Sequence, residues 1–228
     1  MNNTQLQDYW EKEYENTATQ FDVEQPDRWI AELEEKGKIQ GNILDAGCGP
    51  GRTSLYLAKL GYNVVGTDIA ANAIERAQAK AAKEKIKVEF LQADMTKFDA
   101  YQDYFATVID IGCFHSLPGD KERQVYAQVL AKACSLEAHI YLRAFSERNL
   151  HNKPQSSDVP GNSEENHSFA TIQKPKGVPA IKEEEIRATF SLANGWQIKD
   201  LQEKQIELLV GNKQRKLGYC WFAVIEKA

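Results

Sequence analysis

Short apolar runs alternate along this chain with segments whose apolar residues recur at helical spacing. The apolar runs predict five strands, at residues 42–46, 63–68, 87–92, 106–110 and 139–143. The periodic segments predict three helices, at residues 52–60, 72–85 and 120–134. The second helix opens on a capping-box pattern, Asn72-Ala73-Ile74-Glu75. Strands that alternate with helices in this way predict an α/β fold, with a parallel sheet between two layers of helices.

Two regions flank this alternating core. Before it, a polar stretch with spaced aromatic residues predicts helices at 5–16 and 26–36, which we expect to form a helical cover over residues 1–40. After it, the pattern predicts a helix at 182–192 and strands at 196–202 and 219–225. The whole chain, residues 1–228, therefore reads as a single domain of a size that can bury a substantial core.

Residues 146–180 interrupt the pattern. They contain four prolines, with serine, asparagine and glycine between them. A polar stretch of this length inside a compact domain is usually a functional lid or a disordered insertion. We predict a lid or insertion at 146–180.

Composition narrows the classes of function. The chain has 28 Lys and Arg against 33 Asp and Glu, a formal net charge of −5, which argues against a general nucleic-acid binder. The four cysteines form no CxxC pair and have no metal-like spacing, so we predict no metal site and a reduced, cytoplasmic protein. The N-terminus is polar, unlike a signal peptide, and the sequence has no apolar run long enough to span a membrane.

The strand at 42–46 runs into a glycine-rich turn that carries Gly47, Gly49 and Gly51 and is followed by a helix. Glycines at such a turn let a ligand approach the backbone closely. Asp68 ends the next strand, about 20 residues further on, the spacing at which a carboxylate takes the ribose hydroxyls of an adenosine ligand. The stretch therefore predicts an adenosine-binding βαβ unit, against the alternative of a glycine-rich turn in an unrelated α/β protein.

A dinucleotide fingerprint, G-x-G-x-x-G, would need a glycine where this chain has Arg52, which argues against a nicotinamide enzyme. The turn is instead preceded by Asp45, a carboxylate that can hold the ammonium group of a ligand, directly or through water. The pattern D-x-G-x-G-x-G resembles the first motif of class I S-adenosylmethionine (SAM) methyltransferases. This resemblance implies SAM as the cofactor.

Ligands of open α/β sheets lie at the carboxyl ends of the strands, so the residues that end the other strands are further candidates. Ile69 follows Asp68. Asp94 could accept from the adenine amine with Met95 beside it, and Asp110 could hold the methionine part of SAM; either aspartate could instead be a turn residue.

Two candidates face the methyl acceptor. His115 follows the fourth strand and is either a general base or a polar part of the pocket wall. Arg143 ends the fifth strand, where its charge could meet an anionic acceptor. Cys113 is expected to line the pocket, because direct methyl transfer needs no covalent enzyme intermediate.

Aromatic residues near the N-terminus, Trp10, Tyr14 and Phe21, are spaced four and then seven residues apart. After the fourth strand the chain reads Asp110-Ile111-Gly112 and then Pro118-Gly119-Asp120, with Tyr126 on the following helix. In these features the chain resembles, over nearly its whole length, the thiopurine methyltransferase branch of class I methyltransferases and its bacterial relatives for thiols, halides and tellurite-type oxyanions.

The resemblance implies a Rossmann-like fold: a seven-stranded, mostly parallel sheet with helices on both faces and an antiparallel last strand. It also implies that the three N-terminal aromatics cover SAM. The mammalian thiopurine enzymes carry an arginine where this chain has Ile111, which argues against thiopurine-like anionic substrates.

The sequence thus predicts a SAM-dependent methyltransferase for a small-molecule acceptor. We expect a thiol or another soft nucleophile, because the presumed pocket residues are mostly apolar and no acid–base pair stands out. Two alternatives stay open: an O- or N-methyltransferase of a small metabolite that uses His115 as base, and a non-catalytic SAM-binding protein. A nucleic-acid amino-methyltransferase is disfavoured, because residues 110–113 lack its Asp/Asn-Pro-Pro-aromatic motif. We expect a monomer or homodimer with no nucleic-acid or membrane partner.

Overall fold

The computed structural model describes residues 2–15, 25–151, 180–210 and 214–228. The helices in these ranges are α1 (Asn3–Glu15), α2 (Arg28–Glu35), α3 (Arg52–Lys59), α4 (Ala71–Glu84), α5 (Cys113–Ser116), α6 (Asp120–Ala133), α7 (Arg148–His151) and α8 (Glu183–Thr189). The strands are β1 (Ile43–Ala46), β2 (Val64–Asp68), β3 (Glu89–Gln92), β4 (Phe105–Ile111), β5 (Cys134–Phe145), β6 (Trp196–Val210) and β7 (Gln214–Lys227).

The seven strands form one sheet in the order β3-β2-β1-β4-β5-β7-β6. Strands β1 to β5 are parallel to one another, whereas β7 runs antiparallel to both β5 and β6. This is the Rossmann-like arrangement that the sequence predicts, including the antiparallel last strand. The chain order reverses where β1 lies between β2 and β4, and a ligand crevice is expected at the carboxyl ends of these strands.

Strand β1 is buried on both faces, which explains its unbroken apolar sequence. Ile43 packs with Ile30 of α2 and Leu57 of α3 on one side of the sheet, and the next residue, Leu44, joins the larger core on the other side. The larger core also buries Trp196, whose indole N–H donates to the carbonyl of Ala127 at 2.9 Å. Both faces of the sheet are therefore covered, so a ligand can reach the sheet at the carboxyl ends of its strands.

Several boundaries differ from those that the sequence predicts. Strands β6 and β7 extend well beyond 196–202 and 219–225, because they pair with each other along a hairpin whose ladder satisfies the backbone of polar residues. Helix α4 begins at Ala71, one residue before the predicted capping box at Asn72, and no side chain of its own N-cap residue closes it. The short helix α5 was not predicted. Helix α8 ends at Thr189 instead of 192.

The predicted cover over residues 1–40 contains α1 and α2, with α1 beside α4 and α2 held to the sheet through Ile30. Phe21 lies outside the described residues, and so does most of the predicted lid, of which the structure describes only 146–151 and 180. None of the described helices is long and apolar enough to cross a membrane.

Candidate active site

A cavity of about 200 Å³ lies at the carboxyl ends of the central strands, under helix α1. Its wall brings together most of the predicted site residues, namely Trp10, Tyr14, Asp45, Gly47, Gly49, Asp68, Ile69, Asp94, Met95, His115 and Arg143. Among the described candidates, Gly51 and Asp110 do not line it. One cavity thus collects side chains from five strand ends and from the N-terminal helix.

The glycine-rich turn is shaped by close contacts on both sides. Gly47 and Gly49 have φ angles of +68° and +53°, in the left-handed region that favours glycine. A Cβ on Gly47 would lie 2.9 Å from the Cβ of Cys113, and a Cβ on Gly49 would lie 2.8 Å from the hydroxyl of Tyr14. Side chains at these two positions would fill the space in which a ligand meets the backbone.

Gly51 does not line the cavity but allows close packing of neighbouring elements. A Cβ there would lie 2.9 Å from both Ala77 of α4 and the ring of Phe90 on β3. The third glycine of the motif therefore lets α3 and α4 pack closely against the sheet, whereas the sequence reading placed it with the ligand.

Two buried carboxylates flank the turn. Asp68 accepts hydrogen bonds from the backbone N–H groups of Gly49 and Ala70, each at 2.9 Å, and Asp45 accepts from the hydroxyl of Ser54 at 2.6 Å. Burial raises the pKa of each carboxyl to about 6. A ligand that brings an ammonium group and hydroxyl donors would stabilise the ionised forms of both, which fits the polar groups of SAM.

Helix α1 covers this end of the cavity. The rings of Trp10 and Tyr14 are stacked with centroids 5.9 Å apart, and both residues line the cavity. At the start of the helix, the amide of Asn3 donates to Asp94 and to Thr96, each at 2.9 Å. The helix therefore lies across the predicted cofactor site, with aromatic surface toward the ligand space.

The carboxylate of Asp94 already has hydrogen-bond partners within the protein. It accepts from the backbone N–H and the hydroxyl of Thr96, from Asn3, and from Lys97 at 3.1 Å. Burial alone would raise the pKa of Asp94, but these hydrogen bonds hold it below its usual range. The carboxylate is thus the turn aspartate that the sequence analysis named as the alternative, while it also lines the cavity beside Met95.

Asp110 has a structural task in place of the predicted contact with SAM. It is fully buried, and it accepts from the backbone N–H groups of Gly112, Cys113 and Phe114 and from the hydroxyl of Tyr126. These bonds close the first turn of α5. Asp110 therefore positions the wall of the cavity and does not itself line it.

His115 of α5 is 7% exposed and lines the opposite end of the cavity. Its Nδ1 accepts from the backbone N–H of Phe145 at 3.3 Å, and its ring packs on the Phe145 ring with centroids 4.8 Å apart. Burial, with Arg143 and Arg123 nearby, lowers the pKa of His115 to about 3. The imidazole is therefore neutral, and because Nδ1 is an acceptor, the proton is on Nε2.

Arg143 lies two residues before the end of β5 and lines the cavity with His115, and the structure gives it a partner that sequence reasoning missed. Asp27, the N-cap residue of α2, forms a short ion pair with Arg143 and contacts Arg52 at 3.5 Å. Nothing in the sequence around Asp27 marks it as a site residue. Arg52 did carry a signal, because it directly follows the glycine-rich turn. The cavity wall also includes Leu6 and Cys220, which were not predicted.

In the described part of the chain, no group of three or more His, Cys, Asp or Glu side chains could hold a metal ion. The cavity instead offers carboxylates, aromatic rings and two guanidinium groups.

A family of proteins described as a methyltransferase domain matches residues 43–133, which run from β1 to the end of α6. An uncharacterized methyltransferase of Schizosaccharomyces pombe is 45% identical over 117 residues, covering 51% of this chain and 80% of that protein. The chain belongs to the class I SAM-dependent methyltransferases.

Two further proteins resemble this methyltransferase, one in sequence and one in fold. The 2-heptyl-1-hydroxyquinolin-4(1H)-one methyltransferase of Mycobacteroides abscessus is 37% identical over 150 residues, covering 62% of this chain and 66% of that protein. A solved structure from work on the conversion of a disulfide bond into a thioacetal group during echinomycin biosynthesis has a TM-score of 0.77 and 24% identity, covering 97% of this chain and 92% of that one. The second likeness supports the fold alone.

When bound, SAM supplies a methyl group that its positively charged sulfur has already activated. The methyltransferase's own residues then have two tasks, which are to hold the reacting atoms in line and to exclude water. Alignment of this kind can contribute about 7–11 kcal/mol toward the barrier. Helix α1, with Trp10 and Tyr14 over the cavity, is the described element that can exclude water.

Proposed function

We propose that this methyltransferase transfers the methyl group of SAM to a small acceptor that ionises near neutral pH, in the first place a thiol or another soft nucleophile. The observation that carries the proposal is the acceptor end of the cavity. Its wall combines apolar residues with the donors of His115 and Arg143, and no strong base faces it among the described residues. An acceptor that loses its proton to water suits such a wall.

The chemistry of thiols matches this requirement. An unperturbed thiol has a pKa of about 8.5, so that a few per cent is thiolate at neutral pH. An alcohol ionises far less and would need a committed base. A His115 with a pKa of about 3, whose Nδ1 already accepts a hydrogen bond, is a poor candidate for that base.

On the cofactor side, we assign the polar ends of SAM to the buried carboxylates. Asp45 would hold the ammonium group and Asp68 the ribose hydroxyls, with Ile69 and Met95 beside the adenine. Trp10 and Tyr14 would cover the bound cofactor. The shared cavity and the two raised carboxyl pKa values support this assignment. The aromatic pair also supports placement in the thiopurine and thiol methyltransferase branch.

An acidic hydroxyl is a second candidate acceptor. The Mycobacteroides abscessus relative is named for a 1-hydroxyquinolone, in which the hydroxyl is attached to a ring nitrogen. Such an N-hydroxyl is more acidic than an alcohol, so it shares with a thiol the ability to react without a strong base. The apolar residues Ile111, Phe145 and Leu117 of the wall could pack against an aromatic ring.

An acceptor screen with methyl-labelled SAM tests the proposal. It compares thiols, halides, N-hydroxy heteroaromatics, alcohols and amines, with Asp68→Ala as the control that should lose cofactor binding. We expect label to appear in a thiol or an N-hydroxy compound. A screen in which an alcohol or an amine outperforms both classes would refute the acceptor assignment. Tight binding of SAM without turnover of any acceptor would instead favour a non-catalytic SAM-binding protein.

A further inference from the structure

Arg143 uses only part of its hydrogen-bonding capacity within the protein. A guanidinium group carries five N–H donors, and the bond of Arg143 to Asp27 is made through Nη1. In the described part of the chain, Nε and Nη2 of Arg143 have no acceptor. The side chain is 13% exposed and lines the cavity, where a ligand can reach it.

Asp27 does not neutralise Arg143 fully, because Oδ2 of Asp27 serves two cations. The same oxygen contacts Arg52 at 3.5 Å, and the other oxygen accepts from the backbone N–H of Trp29 at 3.1 Å. Burial alone would raise the pKa of Asp27, but Arg143 and Arg52 hold it below its usual range. One carboxylate shared by two guanidinium groups leaves positive charge at the β5 end of the cavity. Asp45, the next carboxylate, acts on Arg52 and lies with Ser54 on the β1 side.

His115 adds a second free donor next to Arg143. With Nδ1 bonded to the backbone N–H of Phe145, the Nε2–H of this buried ring has no acceptor among the described residues. Because His115 lines the cavity, a ligand atom there can accept a hydrogen bond from this N–H. His115 of α5 and Arg143 of β5 line the same cavity.

We propose that Arg143 and His115 bind the acceptor as its anion, a thiolate or the conjugate base of an acidic hydroxyl, with Asp27 positioning the guanidinium. This inference rests on the proposed function and adds to it a charge requirement on the acceptor. Binding the anion shifts the ionisation of the acceptor toward the reactive form without any general base. The neutral His115 contributes a hydrogen bond and Arg143 contributes a hydrogen bond and charge.

A chromophoric thiol tests the proposal directly. The thiolate of thiophenol absorbs at longer wavelength than the thiol, and thiophenol ionises close to neutral pH, so its ionisation can be titrated by difference absorbance on the protein loaded with S-adenosylhomocysteine, the demethylated cofactor. That cofactor keeps its own carboxylate in place, so the titration reports on the acceptor end. We expect the apparent pKa of the bound thiol to fall by about one unit or more, a tenfold shift toward the anion.

Variants separate the anion site from general effects. Arg143→Gln should abolish the shift and Arg143→Lys should keep part of it, whereas Arg28→Gln, at a side chain that is 93% exposed, should leave it unchanged. Circular dichroism and S-adenosylhomocysteine calorimetry on each variant confirm folding and cofactor binding.

The proposal would be overturned by an unshifted or raised thiol pKa on the wild-type protein, by absence of thiophenol binding, or by an equal shift in Arg143→Gln. It would also be overturned if Arg143→Gln chiefly weakened S-adenosylhomocysteine binding, since the guanidinium would then serve the cofactor's carboxylate. Failure of the proposed function is separable. If calorimetry detects no SAM binding, the methyl-transfer proposal fails, while the titration on the protein alone still reports on the anion site.

Discussion

Glu11 of helix α1 caps the N-terminus of helix α4 at Ala71. Its carboxylate accepts from the backbone N–H of Ala71 at 2.7 Å and from that of Asn72 at 3.1 Å, and the Asn72 amide donates back to the carbonyl of Glu11 at 3.2 Å. The first N–H groups of a helix lack partners within it and attract negative charge. Helix α1 is thus held across the cavity by completing the N-terminus of α4, directly after the β2 end that carries Asp68.

This contact predicts a role for Glu11 in cofactor retention. Glu11→Gln removes the charge while keeping the side-chain size, which should weaken the docking of α1 by about 1 kcal/mol, the usual value of a charge or cap at a helix N-terminus. We expect SAM to bind several-fold more weakly, with little change in the melting temperature of the sheet. Calorimetry measures the affinity, and Glu15→Gln on the same helix is the control. Equal affinity in both variants would argue against closure by α1.

Asp68 links the glycine-rich turn to the predicted ribose site. Asp68→Ala removes a buried acceptor of two backbone N–H groups, and we expect it to cost SAM binding about 1.5–3 kcal/mol, as for a hydrogen bond to a charged group. Asp68→Asn keeps one oxygen acceptor and should lose less affinity. If Asp68→Ala binds SAM as tightly as the wild type, the assignment of the β2 end to the ribose is wrong.

The raised pKa of Asp45 predicts a pH-dependent effect on stability. Its carboxyl has a pKa of about 6 in the folded protein and of about 4 in an unfolded chain. The folded state therefore binds the proton more tightly, and this contribution to stability is complete below about pH 4 and is lost as the pH rises through 6. A difference of two units corresponds to about 3 kcal/mol.

The comparison that isolates Asp45 is Asp45→Asn, which cannot ionise. Relative to the wild type, this variant should gain about 2 kcal/mol of unfolding free energy between pH 4.5 and pH 7.5. Urea unfolding without SAM measures the gain. His115, whose lowered pKa acts in the opposite direction, is common to both proteins and cancels. The same variant should bind SAM more weakly at pH 7.5. A constant difference between the two proteins across this range would contradict the burial argument.

Substitution of His115 distinguishes an acceptor that ionises by itself from one that needs a general base. For a thiol or an N-hydroxyl, His115→Ala should lower kcat by less than about tenfold and raise KM, because the side chain donates a hydrogen bond and takes no proton. The rate should follow the acceptor's own ionisation as the pH rises. If His115 were a general base for an alcohol, the same variant would lose about 10²–10⁴ in rate. Steady-state kinetics across pH with each acceptor distinguish these results.

The order of strands and helices could be read from the sequence alone, and so could the glycine-rich turn to which we assign the cofactor. Strand β1 and the turn with Gly47 and Gly49 could be read directly, because a doubly buried strand and a left-handed turn leave few choices of residue. The acid at the end of β2 followed from spacing. Each of these features is local, because it depends on a few consecutive residues.

Which candidate residues line the cavity and which hold the fold together became visible in the folded structure. Asp94 and Asp110 occupy similar positions in the sequence, each close to the end of a strand. Asp94 lines the cavity, whereas Asp110 accepts hydrogen bonds from the backbone of α5 and from Tyr126. The capping of α4 by Glu11 and the sharing of Asp27 between two arginines join residues far apart in the chain. Such pairings depend on where the folded elements place their side chains, because hydrogen bonds and charges act over a few ångströms of space and leave no periodic trace along the sequence.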